Sequence, residues 1–168
     1  MATVKTLPVF SLRERDLAHS LLAGKVARMM GRKLEEADWA DVYCRAKGIP
    51  HRGWSNLHID VMHAGLGVEH KMICYRSNAD ISDACGQTFM HPAATRSIRI
   101  PSGKTSADQA MRDILNQYAD LIERRTKKVR EEAKGTRQAD MRTGWLLWQE
   151  SLRQFLYFEE RMKAPNPD

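Results

Sequence analysis

Apolar positions return every three or four residues early in the chain, at Leu17, Leu21, Leu22, Val26 and Met29, which is the period of an amphipathic helix. Ser11 can cap its start while Glu14, three residues on, reaches back to the cap, and Gly31 supplies a stop. A second helix is expected from Leu34 to Ala46. It carries Glu35, Glu36, Asp38 and Asp41 and ends at Gly48 ahead of Pro50. From Asn56 the period changes to two, with Leu57, Ile59 and Val61 alternating with His58, Asp60 and Met62. A turn at His63-Ala64-Gly65-Leu66 and a second strand-like run from Gly67 to Arg76 make residues 56–76 a β-hairpin.

A short helix is expected over Ala79–Met90, closed by His91-Pro92, and a third strand over Thr95–Ile100 before Pro101. The longest helix begins at a Thr105/Ser106 cap. Its apolar stripe runs through Ala107, Met111, Ile114, Tyr118, Leu121, Ile122, Arg125 and Val129, and Gly135 lies beyond its end. The run from about Arg137 to Lys163, rich in Trp145, Trp148, Phe155, Tyr157 and Phe158, reads as a final helix. Its wide apolar surface is expected to complete the core or a homodimer interface, the alternative being that it awaits a further domain. The expected fold class is therefore α/β: a small mixed β-sheet flanked by helices, with a helical C-terminal part. The 168 residues form one domain, with a core over about 12–133 and the terminal helix over about 137–163.

Composition narrows the function. Hydrophobic residues make up 42% and charged residues 29% of the chain, which excludes disordered and collagenous classes. No stretch is apolar and long enough for a membrane helix, no secretory signal opens the chain, and a cytoplasmic location is expected. Cys44, Cys74 and Cys85 show no C-x-x-C spacing, so free thiols are expected in place of disulfides or zinc. A net charge of +6 points to a polyanionic partner, most simply nucleic acid.

The hairpin holds the candidate chemistry. A four-residue turn sets Asp60 opposite Glu69, and Glu69 and Lys71, two apart, project from one face. Two carboxylates brought together repel unless a cation lies between them, and a hard divalent ion such as Mg²⁺ is the usual one. Such an ion polarises a phosphodiester and acidifies water, while Lys71 can orient that water or neutralise developing charge.

Asp60, eight intervening residues, then Glu69-His70-Lys71 on a hairpin after a helix resembles the PD-(D/E)XK nuclease superfamily, restriction endonucleases in particular. The resemblance covers about residues 12–133, with Ile59 in place of the family's proline. It implies a Mg²⁺-dependent endonuclease acting on double-stranded DNA as a homodimer. Asp60 and Glu69 would be metal ligands, joined by the main-chain carbonyl of His70. Lys71 would be the catalytic lysine, and Glu35 or Glu36 a further acid from the preceding helix. On that footing Arg96, Arg99 and Lys104 are the candidate DNA contacts. Asp120, Glu132 and Lys134 satisfy the same bare spacing but fall on a helix, where no strand geometry gathers them. Arg124, Arg125, Lys127, Lys128 and Arg130 read as that helix's wet side. Ser102-Gly103-Lys104-Thr105 lacks the first glycine of a P-loop, since Ile98 stands there. The alternative reading is a non-catalytic DNA-binding or interaction domain, or one part of a larger nuclease.

Overall fold

A computed structural model of the chain describes residues 7–50, 59–76, 80–84, 98–101, 103, 105–134 and 138–166. The elements run α1 (Leu12–Ala27), α2 (Glu36–Lys47), β1 (Val61–His63), β2 (Leu66–Tyr75), a 3-10 turn (Ile81–Ala84), α3 (Ala107–Glu132), β3 (Asp140–Gln149) and β4 (Phe155–Arg161). The four strands form one mixed sheet in the order β1-β2-β3-β4. β1–β2 and β3–β4 are antiparallel, and β2–β3, joined by the crossover that contains α3, are parallel.

Local chemistry starts the helices where the sequence places them. Ser11 Oγ accepts from Glu14 N–H at 3.3 Å while Ser11 N–H donates to Glu14 at 2.7 Å, so the capping box is complete. At α2, Asp38 accepts the Glu35 N–H at 3.0 Å and is gripped by the Arg32 guanidinium at 2.6 and 2.7 Å. That grip, ahead of the backbone bond, holds the Asp38 carboxyl down at about 2. α3 starts at Ser106, which caps Gln109.

Helices cover both faces of the sheet. On one, Ala18, Leu22, Trp39 and Val42 pack on Leu146, while Tyr43 and Cys44 pack on Val61 and Val68. On the other, Val129 of α3 packs on Met141 and Ile59, and beyond it Ile81 of the 3-10 turn closes over Leu147. Strand alternation sends Met141 and Leu146 to opposite faces, so β3 is buried on both.

That double burial corrects the expected C-terminal helix over 137–163. The run is two strands joined by a tight turn at Glu150–Arg153, and residue 137 lies outside the described residues. A strand covered on both faces needs apolar residues at successive positions, and Trp145-Leu146-Leu147-Trp148 meets that need as readily as it imitates a buried helix. Its aromatics complete this chain's own sheet, and among the described residues of the run there is no helix to serve as a dimer interface. The expected third strand is also corrected. Residues 98–100 are not in the sheet, because Gln117 of α3 takes both the N–H and the carbonyl of Arg99, at 2.8 and 2.9 Å. Residues 95–97, and 85–90 of the expected short helix, lie outside the described residues. Of that helix only the turn Ile81–Ala84 is seen.

Beneath β2 and β3 lies a polar cluster. Glu159, fully buried, accepts from Arg142 at 2.8 Å and from the Tyr157 hydroxyl at 3.0 Å, and that hydroxyl lies 3.3 Å from His70 Nδ1. Arg142 also reaches Asp140 at 2.6 Å. Gly144 makes the cluster possible: a Cβ there would press on Tyr157 Oη and come within 2.8 Å of His70 Nδ1. Gly144→Ala is expected to lower stability by about 1–3 kcal/mol through forced repacking, read as a drop in the urea midpoint. A midpoint equal to that of the parent would show that the cluster yields freely.

Candidate active site

The hairpin is tighter than a four-residue turn. His63 pairs with Leu66 across a two-residue Ala64-Gly65 connection, with φ of 48° and 88°, the primed geometry that suits strand twist. The register, Val61 against Val68, extends by one step to set Asp60 opposite Glu69, the pairing the sequence suggests. Of the strand expected from Asn56, only Val61–His63 forms β1; Asp60 sits in a bend beside β2, and residues 56–58 lie outside the described residues.

Among the described residues no strand partner faces His70 on this side, and its N–H donates to Asp60 Oδ2 at 2.6 Å. In an antiparallel ladder a residue's N–H and C=O point to the same side, so the His70 carbonyl turns to the same edge. This is the backbone oxygen assigned to metal binding in the sequence reading. The His70 imidazole goes to the opposite face. It is fully buried, 5.1 Å from the Tyr43 ring, and burial, helped by Lys71, holds its pKa down at about 3, so it is neutral. The ring therefore anchors the strand, while the main chain of the same residue serves the site.

Glu69 and Lys71 lie on the α3 face. Lys71 Nζ is 2.7 Å from Glu69 Oε1, and Arg125 Nη2 from α3 is 2.9 Å from Oε2. Glu69 and Arg125 are 3% and 4% exposed, a sealed ion pair. Oε2 has no aligned hydrogen bond among the described residues, so Arg125 holds it by charge and proximity. Arg125, expected on the wet side of its helix, is instead buried against Glu69. It occupies a position of the apolar stripe four residues from both Leu121 and Val129, and a cation at such a position needs a buried anion.

Glu36, in the first turn of α2, completes the group. Its carboxyl is raised by desolvation first, with Lys71 opposing and Glu69 reinforcing. The residue is exposed overall, so solvent moderates the effect. Asp60 is pushed up to about 7, chiefly by burial. The His70 N–H pulls it down, Glu69 and Glu36 push it further up, and Lys71 offsets part of this. Asp60, Glu69, Lys71 and Glu36 therefore feel one another, whereas Glu35 is the residue at the N-cap of α2. Arg99 is exposed beside α3. Arg96 and Lys104 lie outside the described residues.

Compared with known proteins, the chain matches no family model, no curated protein and no solved structure. Among the described residues no three His, Cys, Asp or Glu side chains already converge as a metal cage. The donor set nonetheless fits a hard divalent cation in kind: three carboxylates and a backbone carbonyl offer oxygen only. A half-buried carboxyl raised by desolvation first, and further by its carboxylate neighbours, is also the electrostatic mark of a place where added positive charge is favourable.

Asp60 binds its proton more tightly folded, at about 7, than unfolded, near the ordinary carboxylate value. Its contribution to stability is therefore present below the unfolded value and lost as pH rises through about 7. In chelator-treated protein, the parent is expected to lose about 1–3 kcal/mol more than Asp60→Asn between pH 5 and pH 8, measured by urea denaturation across that range. Parallel pH profiles for the two proteins would show Asp60 to be an ordinary solvated acid.

Proposed function

We propose that the chain is a Mg²⁺-dependent endonuclease of PD-(D/E)XK, restriction-endonuclease-like type that hydrolyses phosphodiester bonds in double-stranded DNA in the cytoplasm. One observation carries the reading: Asp60, Glu69 and Lys71 gather where β2, among the described residues, runs on past the end of β1, with the Asp60 carboxyl pushed up to about 7. A mixed sheet with helices on both faces, a glutamate from the preceding helix and a net charge of +6 are consistent with it.

Each side chain has a distinct task. Asp60, Glu69 and the His70 carbonyl, with Glu36 at the rim, would hold the ion. Mg²⁺, when bound, supplies Lewis acidity toward the phosphodiester and makes water more acidic. Lys71, 18% exposed on its side chain, is the cation that can leave Glu69 for an incoming phosphate oxygen or steer a water's proton. Arg99, with Arg96 and Lys104, would contact the DNA backbone or guanine edges. A cut through both strands calls for two copies of the chain related by two-fold symmetry on a palindromic site.

One observation favours a second reading. Both oxygens of Glu69 already have cationic partners, as they would in a purely structural cluster on a non-catalytic DNA-binding domain or on one part of a larger nuclease. Plasmid cleavage separates the two. The parent is expected to cut supercoiled DNA in Mg²⁺ and to stop on chelation. Asp60→Ala and Lys71→Ala are each expected to lose at least about 100-fold in rate, with DNA binding by fluorescence anisotropy retained. Binding without cutting by the parent would favour the structural reading, and an Asp60→Ala protein that cuts like the parent would remove this site from the mechanism.

A further inference from the structure

We infer that Arg125 is a positioning residue that selects the ion: by holding one oxygen of Glu69, it leaves the site a single-oxygen donor suited to Mg²⁺ and poor for Ca²⁺. The inference rests on the nuclease reading above and adds to it a determinant of metal selectivity.

The two cations on Glu69 come from different directions and hold different atoms. Lys71, two residues along the same strand, takes Oε1 at 2.7 Å, and Arg125, from α3, stands 2.9 Å from Oε2. Their access to solvent differs as well, since the Lys71 side chain is 18% exposed and that of Arg125 is 5%. An ion arriving from solvent therefore meets Glu69 on the Lys71 side. There the ammonium can move aside, because it sits on a flexible stem with a rim to move into. Arg125 has no such freedom. It lies in the stripe of α3 that packs on the sheet, one turn from Val129, which is fully buried against Met141 and Ile59.

The consequence for ion choice is geometric. Mg²⁺ requires a compact octahedral shell and takes carboxylates through one oxygen, whereas Ca²⁺ accepts six to eight oxygens and readily takes a carboxylate through both. With Oε2 committed to Arg125, Glu69 offers Oε1 alone. Removing the guanidinium frees Oε2 for the ion, which helps Ca²⁺ more than Mg²⁺. Partners that orient a metal ligand from behind typically alter metal affinity 10–100-fold.

The test is equilibrium binding of MgCl₂ and of CaCl₂, separately, to chelator-treated full-length protein by titration calorimetry, with a thermal melt to check folding. The parent is expected to bind Mg²⁺. In Arg125→Gln the ratio of Ca²⁺ to Mg²⁺ affinity is expected to rise by about tenfold. Arg125→Lys keeps the charge but replaces a planar fork with one rotating ammonium, so it is expected to move the ratio the same way by about threefold. Should Arg125→Gln not fold, Arg125→Lys decides. Loss of affinity for both ions alike, with the ratio unchanged, means that Arg125 only supports the fold and overturns the inference while leaving the nuclease reading intact. A folded parent that binds neither ion overturns both, and the plasmid assay then reports the same failure independently.

Discussion

β1 stops after three residues, and the unmet hydrogen bond this leaves on β2 organises the site. A buried backbone N–H without a partner costs about as much as a lost hydrogen bond, so the His70 amide must be answered. The Asp60 carboxylate answers it at 2.6 Å. An acid that would otherwise seek solvent is thereby fixed against a buried strand edge, next to Glu69 and Lys71. Its carboxyl pushed up to about 7 is the cost of that placement. Had β1 run one step further in regular pairing, a backbone carbonyl would have met the His70 amide and the Asp60 side chain would have had no reason to turn inward.

β2 can carry this arrangement because its two faces do different work. On the α1/α2 side the His70 ring is wedged among Tyr43, Trp39 and Tyr157, and Tyr157 is tied to Glu159 and Arg142. On the α3 side Glu69 is gripped by Lys71 and Arg125. A strand held by a rigid aromatic cluster on one face can keep concentrated charge in place on the other, since the backbone cannot relax toward either. The same logic explains the polar groups under β3: a buried pair such as Arg142 and Glu159 adds little net stability, yet breaking it strands a charge.

Much of this was legible in the chain, and what was missed has physical causes. Ser11 with Glu14, Ser106 and the Gly48 stop act within a few residues, so local sequence suffices to place them. The hairpin register is local too, since Ala64-Gly65 and the alternation of Val61, Val68 and Glu69 constrain one another. β3 and β4 were not legible. A strand buried on both faces loses the alternation that marks a half-exposed one, and only its pairing to β2 and to the α1/α2 core distinguishes it from an apolar helix. Arg125 was half legible. Its place in the apolar stripe was plain, but as one of five cations within seven residues it read as solvated, and the anion that claims it lies on another element.

The misread segment is the one on which the site depends. β2 pairs with β3 along its whole length, from Leu66 against Asp140 to Tyr75 against Gln149, whereas β1 offers it three residues. A hairpin of that size is marginal by itself in water. The acids of the candidate site therefore come together only once distant parts of the chain have met: β3 behind β2, α3 above it to bring Arg125 to Glu69, and α2 beside it to bring Glu36 to the rim. Local sequence writes the motif, but nonlocal packing turns it into a site. Spacing alone is consequently a poor guide: Asp120, Glu132 and Lys134 share the pattern, yet they lie along and just beyond the end of a single helix, with no strand edge to gather them.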